Sequence, residues 1–314
     1  MKAVCALSAW HLCRQGKFDE GQSNALYQQC LTDLIALTAD PRVDADDSVL
    51  AAAVLLHVLE ELQESRGHIT GFRGFIRPED LEHAPTSSFR LAAYRAMLRS
   101  ELHVSFVNQQ PLTLPAEVCN VDRTFDPAPD EIWAWRIIMH YRDCLAYSVD
   151  PTLGDKYFQL CQYLDAWAEA RPGSFLPILE ESPSIDGGMH LPEIWYMNDC
   201  HVIGMIHFYL CRIVLAVNNP RSPTIGLRRR SAIEKTDTEV RDCVLRICGI
   251  ATSNESLPSG LIAASMIITM CAERFTDLAT QSALEHVLVL TRELHAWPTE
   301  AAQSYVRCVW YGQH

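Results

Sequence analysis

The stretch DSVLAAAVLLHVLEELQE, which runs from Asp47 to Glu64, gives the clearest sign of the fold class of this chain. Nearly every residue from Val49 to Leu59 is apolar, and glutamates close the run. Ser48 stands where a short polar side chain can cap a first turn. An apolar run of this length predicts a helix that is buried on several sides.

The same helical periodicity recurs along most of the 314 residues. Between Leu26 and Leu37 the apolar residues follow one another at spacings of three and four, as an amphipathic helix requires. By the same pattern we predict further helices near residues 87–107, 130–149, 153–169, 196–217, 237–252, 259–276, 281–296 and 299–311.

Short polar residues and prolines mark where these helices begin and end. Ser87, Asp130 and Asp237 stand where a side-chain oxygen can accept hydrogen bonds from the amides of a first turn. Proline-rich stretches predict long loops near 110–129 and 171–195, and no sustained alternation of apolar and polar residues predicts a strand. We therefore predict a single all-α domain over residues 1–314, a helical bundle of about ten helices.

The charge of the chain excludes one class of function. The sequence has 26 Lys and Arg residues against 39 Asp and Glu residues, a formal net charge of -13 at pH 7. Phosphate contacts need a surplus of Lys and Arg on one face, so we expect no direct nucleic-acid binding. An apolar fraction of 48% is typical of a folded protein rather than a disordered one.

The twelve cysteines do not have the spacing of a zinc-binding motif or of a redox-active cysteine pair. No C-x-x-C occurs, and the nearest pair, Cys243 and Cys248, is wrong for a zinc finger or a thioredoxin motif. Most cysteines lie in apolar helical runs, where a thiol behaves as a small hydrophobe; examples are Cys13, Cys144, Cys211 and Cys271. We therefore predict a reducing compartment, no disulfide framework and no metal site.

Membrane and targeting signals are weak. The longest apolar stretches, Val49–Leu56 and Leu261–Cys271, are much shorter than the roughly 20 residues that cross a bilayer. The apolar residues from Ala3 to Trp10 fit the start of a helix better than a signal peptide. We expect no membrane interaction and a cytoplasmic protein.

His57 and Glu61 are the first candidates for chemistry. They lie one turn apart on the same face of the most apolar helix. A buried histidine beside a carboxylate can act as a general base. The alternative, which we favour, is a hydrogen-bonded core histidine that fixes the packing of its helix.

The helix near 196–217 presents a second group of candidates. His201, Met205, Phe208 and Arg212 follow at spacings of four, three and four, so they share one stripe. Such a stripe can line a pocket, or it can pack against loops with its arginine paired to a carboxylate. His201 and His207 lack the spacing of four that two metal ligands on one helical face need, so we predict no metal site here.

A third group follows in the helix near 87–107. Arg99 and His103 share a face, and Glu101 and Gln109 lie in the same segment. Arg99 can hold an acidic ligand or a carbonyl, although an internal salt bridge is the commoner role for a half-buried arginine. Aromatic residues that suit a flat apolar ligand, but that are more often core, are Trp133, Trp135, Trp195, Tyr196, Phe208 and Tyr209.

Several segments, in order along almost the whole chain, resemble one family. They are Leu55–Leu62, His68 with Gly71, Arg99–Pro111, Trp133–Arg136, Trp167 with Arg171-Pro172, Phe175–Ile178, Pro192–Tyr196, Asp199–Gly204, Arg246–Ala251 and Ala296–Thr299. Together they resemble the regulatory (middle-homology) domain that follows the DNA-binding module in fungal binuclear zinc cluster transcription factors. That resemblance implies a helical bundle with a central apolar cavity, in which such domains are thought to sense small molecules.

The sequence departs from that family in two respects. Residues Met1–His11 resemble a helix that normally lies well inside such proteins. The six-cysteine zinc cluster is absent, so we expect that this chain does not bind DNA by itself. Two functions fit. One is a regulator or co-regulator that senses a metabolite or a protein partner, which would place it in the nucleus. The other, towards which we lean, is a cofactor-independent cyclase or isomerase of fungal secondary metabolism, of the Diels–Alder kind, that orders an apolar terpenoid or polyketide intermediate.

Residues are assigned to this predicted pocket by chemical type, and no metal or cofactor is expected. Those with groups able to polarise or deprotonate a substrate, the predicted catalytic residues, are His57, Arg99, His201 and Arg212. Those predicted to contact the substrate are Glu61, Trp195, Met205, Phe208 and Tyr209.

Overall fold

The computed structural model describes residues 1–38, 47–63, 76–82, 87–150, 156–183, 190–223 and 225–312. Within these ranges it contains twelve α-helices and one small antiparallel sheet, so the prediction of an all-α helical bundle is confirmed. In chain order the helices are α1 Lys2–Arg14, α2 Glu20–Thr38, α3 Asp47–Leu62, α4 Pro78–Glu82, α5 Ser88–Asn108, α6 Asp130–Val149, α7 Lys156–Ala170, α8 Asp199–Val217, α9 Arg229–Ser253, α10 Pro258–Cys271, α11 Leu278–His295 and α12 Glu300–Tyr311.

The chain divides into two compact units. The first contains Met1–Leu102, Thr113–Asn120 and Ala296–Pro298, and the second contains the remaining residues, His103–Leu112, Val121–His295 and Thr299–His314. The single domain predicted over residues 1–314 stays a prediction.

In the first unit, α1, α2 and α3 pack around a small apolar core. Its fully buried members are Ala3, Ala6, Trp10, Cys30, Leu56, Leu59 and Ala296. A buried polar network joins the start of α3 to α4 and α5, because Arg90 donates to Asp47 over 2.8 Å and Tyr94 donates to Asp80 over 2.7 Å. Each of these buried polar groups has the partner that burial requires.

In the second unit, α8 lies in the core and packs closely on α6. Gly204 permits close packing of α8 here: a Cβ atom at that position would lie 3.5 Å from the Cα atom of Ala134 in α6, and 2.7 Å from a ring carbon of Phe175. Of the 19 residues of α8, eleven are buried. In the described part of the chain this helix is also the one that has the length and apolar composition to cross a membrane, a test that the core helix of a soluble protein also passes.

A buried arginine fixes the loop that precedes α6. Arg136 is 0% exposed, and its guanidinium donates to the Asp122 carboxylate over 2.6 Å and to the Asp126 carbonyl over 2.9 Å. Its charge also lies over the ring of Trp133, 4.5 Å from the centroid. The Trp133–Arg136 segment of the sequence is therefore an anchor for residues 122–126.

The helix starts predicted near Ser87 and Asp130 are confirmed, and the start predicted at Asp237 is wrong. The hydroxyl of Ser87 accepts a hydrogen bond from the Arg90 amide, as predicted. Helix α6 begins at Asp130 as predicted, but Asp130 does not cap it, since Pro129 occupies the cap position. Helix α9 begins at Arg229 rather than at Asp237. Its first turns are exposed and polar, so they have no apolar period from which the start could be predicted.

The predicted loop near 171–195 contains a short antiparallel hairpin that the sequence pattern missed. Strand β1, Leu179–Glu181, pairs with β2, Glu193–Trp195. Three residues are too few for an alternation of apolar and polar side chains to be detected. Gly187 and Gly188 of this loop, and His68 and Gly71 of the resemblance, lie outside the described residues.

Candidate functional site

An open pocket of about 480 Å³ lies in the second unit, between α7, α8, the loop 218–223 and the first turns of α9. We call it the α7–α8 pocket. Its walls include aromatic and aliphatic side chains together with three cationic and two acidic ones. Concave sites for small molecules combine apolar walls and a few polar groups in this way.

The floor of the α7–α8 pocket is aromatic and firmly held. Phe208 stacks on the buried Trp167, with ring centroids 5.7 Å apart and ring planes 25° from parallel. Trp167 is fixed in turn, because its indole nitrogen donates to the carbonyl of Trp133 over 3.1 Å. The hydroxyl of Tyr157 donates to the carbonyl of Leu215 over 3.2 Å, which leaves its ring as part of the wall.

Charged side chains stand at the rim. Arg212 of α8 pairs with Glu239 of α9, with 2.9 Å between nitrogen and oxygen. The guanidinium of Arg221 lies 4.1 Å from the ring centroid of Phe158, a cation–π contact that orients it at the pocket edge. Two more rim residues, Asp165 and Lys235, complete the charged set.

Two titratable groups of the pocket wall, Tyr157 and Cys161, have pKa values shifted further from neutral pH. Burial is the main cause that raises the pKa of Tyr157, and burial also raises the pKa of Cys161. Both side chains therefore stay protonated at pH 7. The wall is suited to binding and orientation more than to proton transfer or nucleophilic attack.

The predicted stripe on α8 is divided between two environments. Phe208 and Arg212 line the α7–α8 pocket. His201 and Met205 are buried, 3% and 4% exposed, and His201 binds the carboxylate of Asp130 instead. The neighbouring Tyr209 is also buried, and its hydroxyl accepts a hydrogen bond from Arg246 over 3.3 Å.

Trp195 lines a different pocket of the second unit. This shallower depression of about 610 Å³ also contains His190, Glu193 and His286. The indole nitrogen of Trp195 donates to the Glu193 carboxylate over 2.7 Å. Both pockets open to solvent, so neither of them is the enclosed central cavity that the resemblance implied.

His57 and Glu61 form a cluster with Ser100 in the first unit. The Nε2 atom of His57 lies 2.7 Å from the Ser100 Oγ atom, and the Ser100 hydroxyl donates to Glu61. Burial, the largest cause, raises the pKa of Glu61, although Ser100 and His57 oppose the shift. The Glu61 carboxylate faces the same Nε2 atom of His57, 3.8 Å away, instead of the opposite ring nitrogen, so the cluster lacks the order of a serine–histidine–acid relay. It fits the favoured alternative, a hydrogen-bonded core histidine.

The third group of predicted residues does not converge on a pocket. Arg99 is exposed and forms no ion pair with any residue that the structure describes. Glu101 instead accepts hydrogen bonds from the chain at Thr113 and Leu114. Gln109 has a φ of 52°, a left-handed conformation that ends α5.

One group of side chains with clear chemistry was not predicted from the sequence. His140 and Cys144 of α6 lie beside Cys211 of α8, and all three are buried. Burial, the largest cause, raises the pKa of the Cys144 thiol, but hydrogen bonds from Cys211 and His140 outweigh it and lower that pKa to about 6. A search for histidine and cysteine four residues apart finds His140 with Cys144, and also His207 with Cys211.

Comparison with known proteins adds no relative. No family model, no curated protein and no solved structure matches this chain. The resemblance to the fungal regulatory domain therefore stays a prediction, and so do the roles assigned to individual residues.

Proposed function

We propose that this chain is a small-molecule-binding protein whose ligand occupies the α7–α8 pocket. The observation that supports this proposal is that Phe208 and Arg212, from one face of α8, line a pocket of about 480 Å³. Pockets for small ligands are commonly of this size. An aromatic floor beside a guanidinium suits a ligand that has an apolar ring and one carboxylate or carbonyl group.

The charges at the rim favour an anionic ligand. Three cationic side chains, Arg212, Arg221 and Lys235, face two acidic ones, Asp165 and Glu239, which leaves one positive charge in excess. That excess is opposite in sign to the net charge of -13 that the whole chain carries. A local positive site on an acidic protein attracts an anion that the rest of the surface repels.

We favour sensing over catalysis for this pocket. The side chains of its wall are suited to binding. Because the pocket is open on one side, part of a bound ligand stays exposed to solvent, where a partner protein can contact it. The resemblance to a regulatory domain supports the same function, a metabolite-responsive regulator or co-regulator that acts through a protein partner. In that case the ligand is the signal.

A cofactor-independent cyclase or isomerase is the second candidate. It is supported by the guanidinium of Arg212 beside the rings of Phe208 and Tyr157 in one pocket. Aromatic walls can hold a polyene chain in a folded shape, and a guanidinium can donate a hydrogen bond to a developing oxyanion. An apolar terpenoid or polyketide intermediate is the class of substrate that this arrangement suits.

Dye binding tests the proposed pocket directly. Anilinonaphthalene sulfonate combines fused aromatic rings with one negative charge, and N-phenylnaphthylamine is its neutral analogue. We expect the sulfonate to bind at least tenfold more tightly than the analogue, which corresponds to about 1.4 kcal/mol. The Arg212→Gln/Glu239→Gln double variant, which leaves no unpaired charge, should bind the sulfonate several-fold more weakly.

The Arg307→Gln/Glu285→Gln double variant is the matched control, because these two residues form an ion pair of similar exposure outside the pocket. It should leave dye binding unchanged. Equal binding of the charged and neutral dyes, together with no effect of the double variant, would contradict the proposed ligand site.

Product analysis separates the two candidates. The protein is mixed with linear polyene or terpenoid intermediates, and the ring skeletons formed are compared with those formed without protein. A changed product ratio that Phe208→Ala abolishes supports the cyclase or isomerase. Dye binding with an unchanged product profile supports the regulator.

A further inference from the structure

His140, Cys144 and Cys211 place three good metal ligands around one point in the second unit. One imidazole nitrogen and two sulfur atoms all lie within 4.8 Å of one another. The Nε2 atom of His140 is 3.6 Å from the Sγ atom of Cys144. Ligands that stand about 2.0–2.3 Å from a shared ion are separated by about 3.5–4 Å, so this spacing needs little adjustment.

The fold explains why these residues meet. His140 and Cys144 are four residues apart in α6 and so share one face of that helix. Cys211 belongs to α8, which packs closely on α6. Both helices are held elsewhere, by Gly204 against Phe175 and by His201 with Asp130, so the three ligands approach one another from fixed backbones.

The donor set selects the kind of ion. Cys144 and Cys211 are 0% exposed and His140 is 1% exposed, and no carboxylate belongs to the group. Calcium and magnesium prefer oxygen ligands, whereas thiolate and imidazole select copper(I) and zinc. Two thiolates and one neutral imidazole balance the charge of a zinc ion, which lowers the cost of burying it.

A fourth polar group belongs to Tyr141, the residue that follows His140 in α6. The hydroxyl of Tyr141 is buried and has no hydrogen-bond partner among the described residues. A buried hydroxyl without a partner costs free energy, so such a group calls for an explanation. A bound ion explains it, since zinc in structural sites takes four ligands and the phenol oxygen can serve as the fourth.

We propose that His140, Cys144 and Cys211 bind one thiophilic d10 metal ion, copper(I) or zinc(II), and that this ion joins α6 to α8. Each thiol that binds loses its proton to solvent, and no electron is transferred. Copper(I) is satisfied by the three ligands, whereas zinc(II) requires the fourth, from Tyr141. The site is separate from the α7–α8 pocket, so its presence does not depend on the ligand proposed there.

Metal analysis of the full chain tests this proposal. Protein is produced with added zinc or added copper, purified without oxygen, and freed of loosely bound ions with a chelator. We expect one ion per chain, lost in Cys144→Ser and in Cys211→Ser. Cys248→Ser is the matched control, because Cys248 is also 0% exposed but lies outside the group, and it should keep the ion.

If a cysteine variant does not fold, cobalt(II) titration of the unaltered protein tests the metal site instead. A thiolate-to-cobalt charge-transfer band that saturates at one equivalent supports the site, and weakening of its d–d bands in Tyr141→Phe identifies the zinc geometry. An unchanged cobalt spectrum in Tyr141→Phe, with copper retained, identifies the copper geometry. A metal-free folded protein, an ion retained in both cysteine variants, or a Cys144–Cys211 disulfide in the anaerobic protein would overturn the proposal.

Discussion

The imidazole of His201 lies 2.8 Å from a carboxylate oxygen of Asp130, and this contact joins the first turn of α8 to the first turn of α6. His201 is 3% exposed, and its ring packs against Phe175 with centroids 4.7 Å apart. The hydrogen bond from His201 is the largest of the effects that lower the pKa of Asp130. The contact therefore gives a structural reason for a histidine that the sequence analysis assigned to catalysis.

Substitution of His201 should change stability and leave ligand binding intact. We expect His201→Gln to lower the free energy of unfolding by about 1–3 kcal/mol, because a buried carboxylate-bonded imidazole is replaced by a group that reaches Asp130 poorly. Urea denaturation measures the loss. Dye affinity in the α7–α8 pocket should be unchanged, since His201 does not line it.

Asp130→Asn is the companion variant, and it should cost less, because the amide can still accept the hydrogen bond. A His201→Gln protein with wild-type stability and no dye binding would show that the contact with Asp130 is incidental and that the predicted site role is the important one.

Arg136 should not tolerate replacement by lysine. Its guanidinium reaches the Asp122 carboxylate and the Asp126 carbonyl at once, and a lysine amine cannot make both contacts from a fully buried position. We expect Arg136→Lys to lower the free energy of unfolding by about 2–3 kcal/mol. Arg230→Lys, in an exposed pair with Glu234, should change it by less than about 0.5 kcal/mol. Similar losses in the two variants would contradict the anchor role.

The helices of this chain could be predicted because their buried faces leave a period in the sequence. Helix α6 has the bounds predicted for it, 130–149, and its apolar residues face the core of the second unit. The start of α9 could not be predicted, because residues 229–237 are largely exposed and their sequence has no apolar stripe. A buried face gives a helix a periodic pattern of apolar residues in the sequence, and an exposed turn has no such pattern.

The candidate site was harder to predict than the fold. His201 and Arg212 are 11 positions apart, which is about 16 Å along a helix. Side chains on one face can therefore lie in the core at one end and in a pocket at the other, as these do. The group of His140 with Cys211 depends on which helices pack together, and spacing within a single helix does not contain that information.

Gly249 is a position where any side chain should be costly. A Cβ atom there would lie 2.2 Å from the carbonyl oxygen of Pro192, so the chain that precedes β2 packs directly on α9. We expect Gly249→Ala to lower the free energy of unfolding by about 2–3 kcal/mol, since backbone must move to relieve the contact. Thermal denaturation provides the measurement.

Gly260→Ala is the control for that experiment. Gly260 is also buried in a helix, but its nearest neighbours stand 3.6 Å from the added atom, an ordinary contact distance. Alanine should be neutral or stabilising there, because it favours helix over the unfolded chain. Equal tolerance of alanine at both glycines would mean that the chain at Pro192 does not press on α9.

His103 should make the stability of the second unit depend on pH. Burial lowers the pKa of its imidazole from 6.5 to about 4. As pH falls below 6.5, the unfolded chain takes up a proton that the folded chain does not accept until about pH 4. Stability should therefore fall between pH 6.5 and pH 4 and level off below, by about 2 kcal/mol once partial exposure is allowed for. In His103→Gln, urea denaturation at several pH values should show this part of the slope removed, and an unchanged slope would assign the pH dependence to other groups.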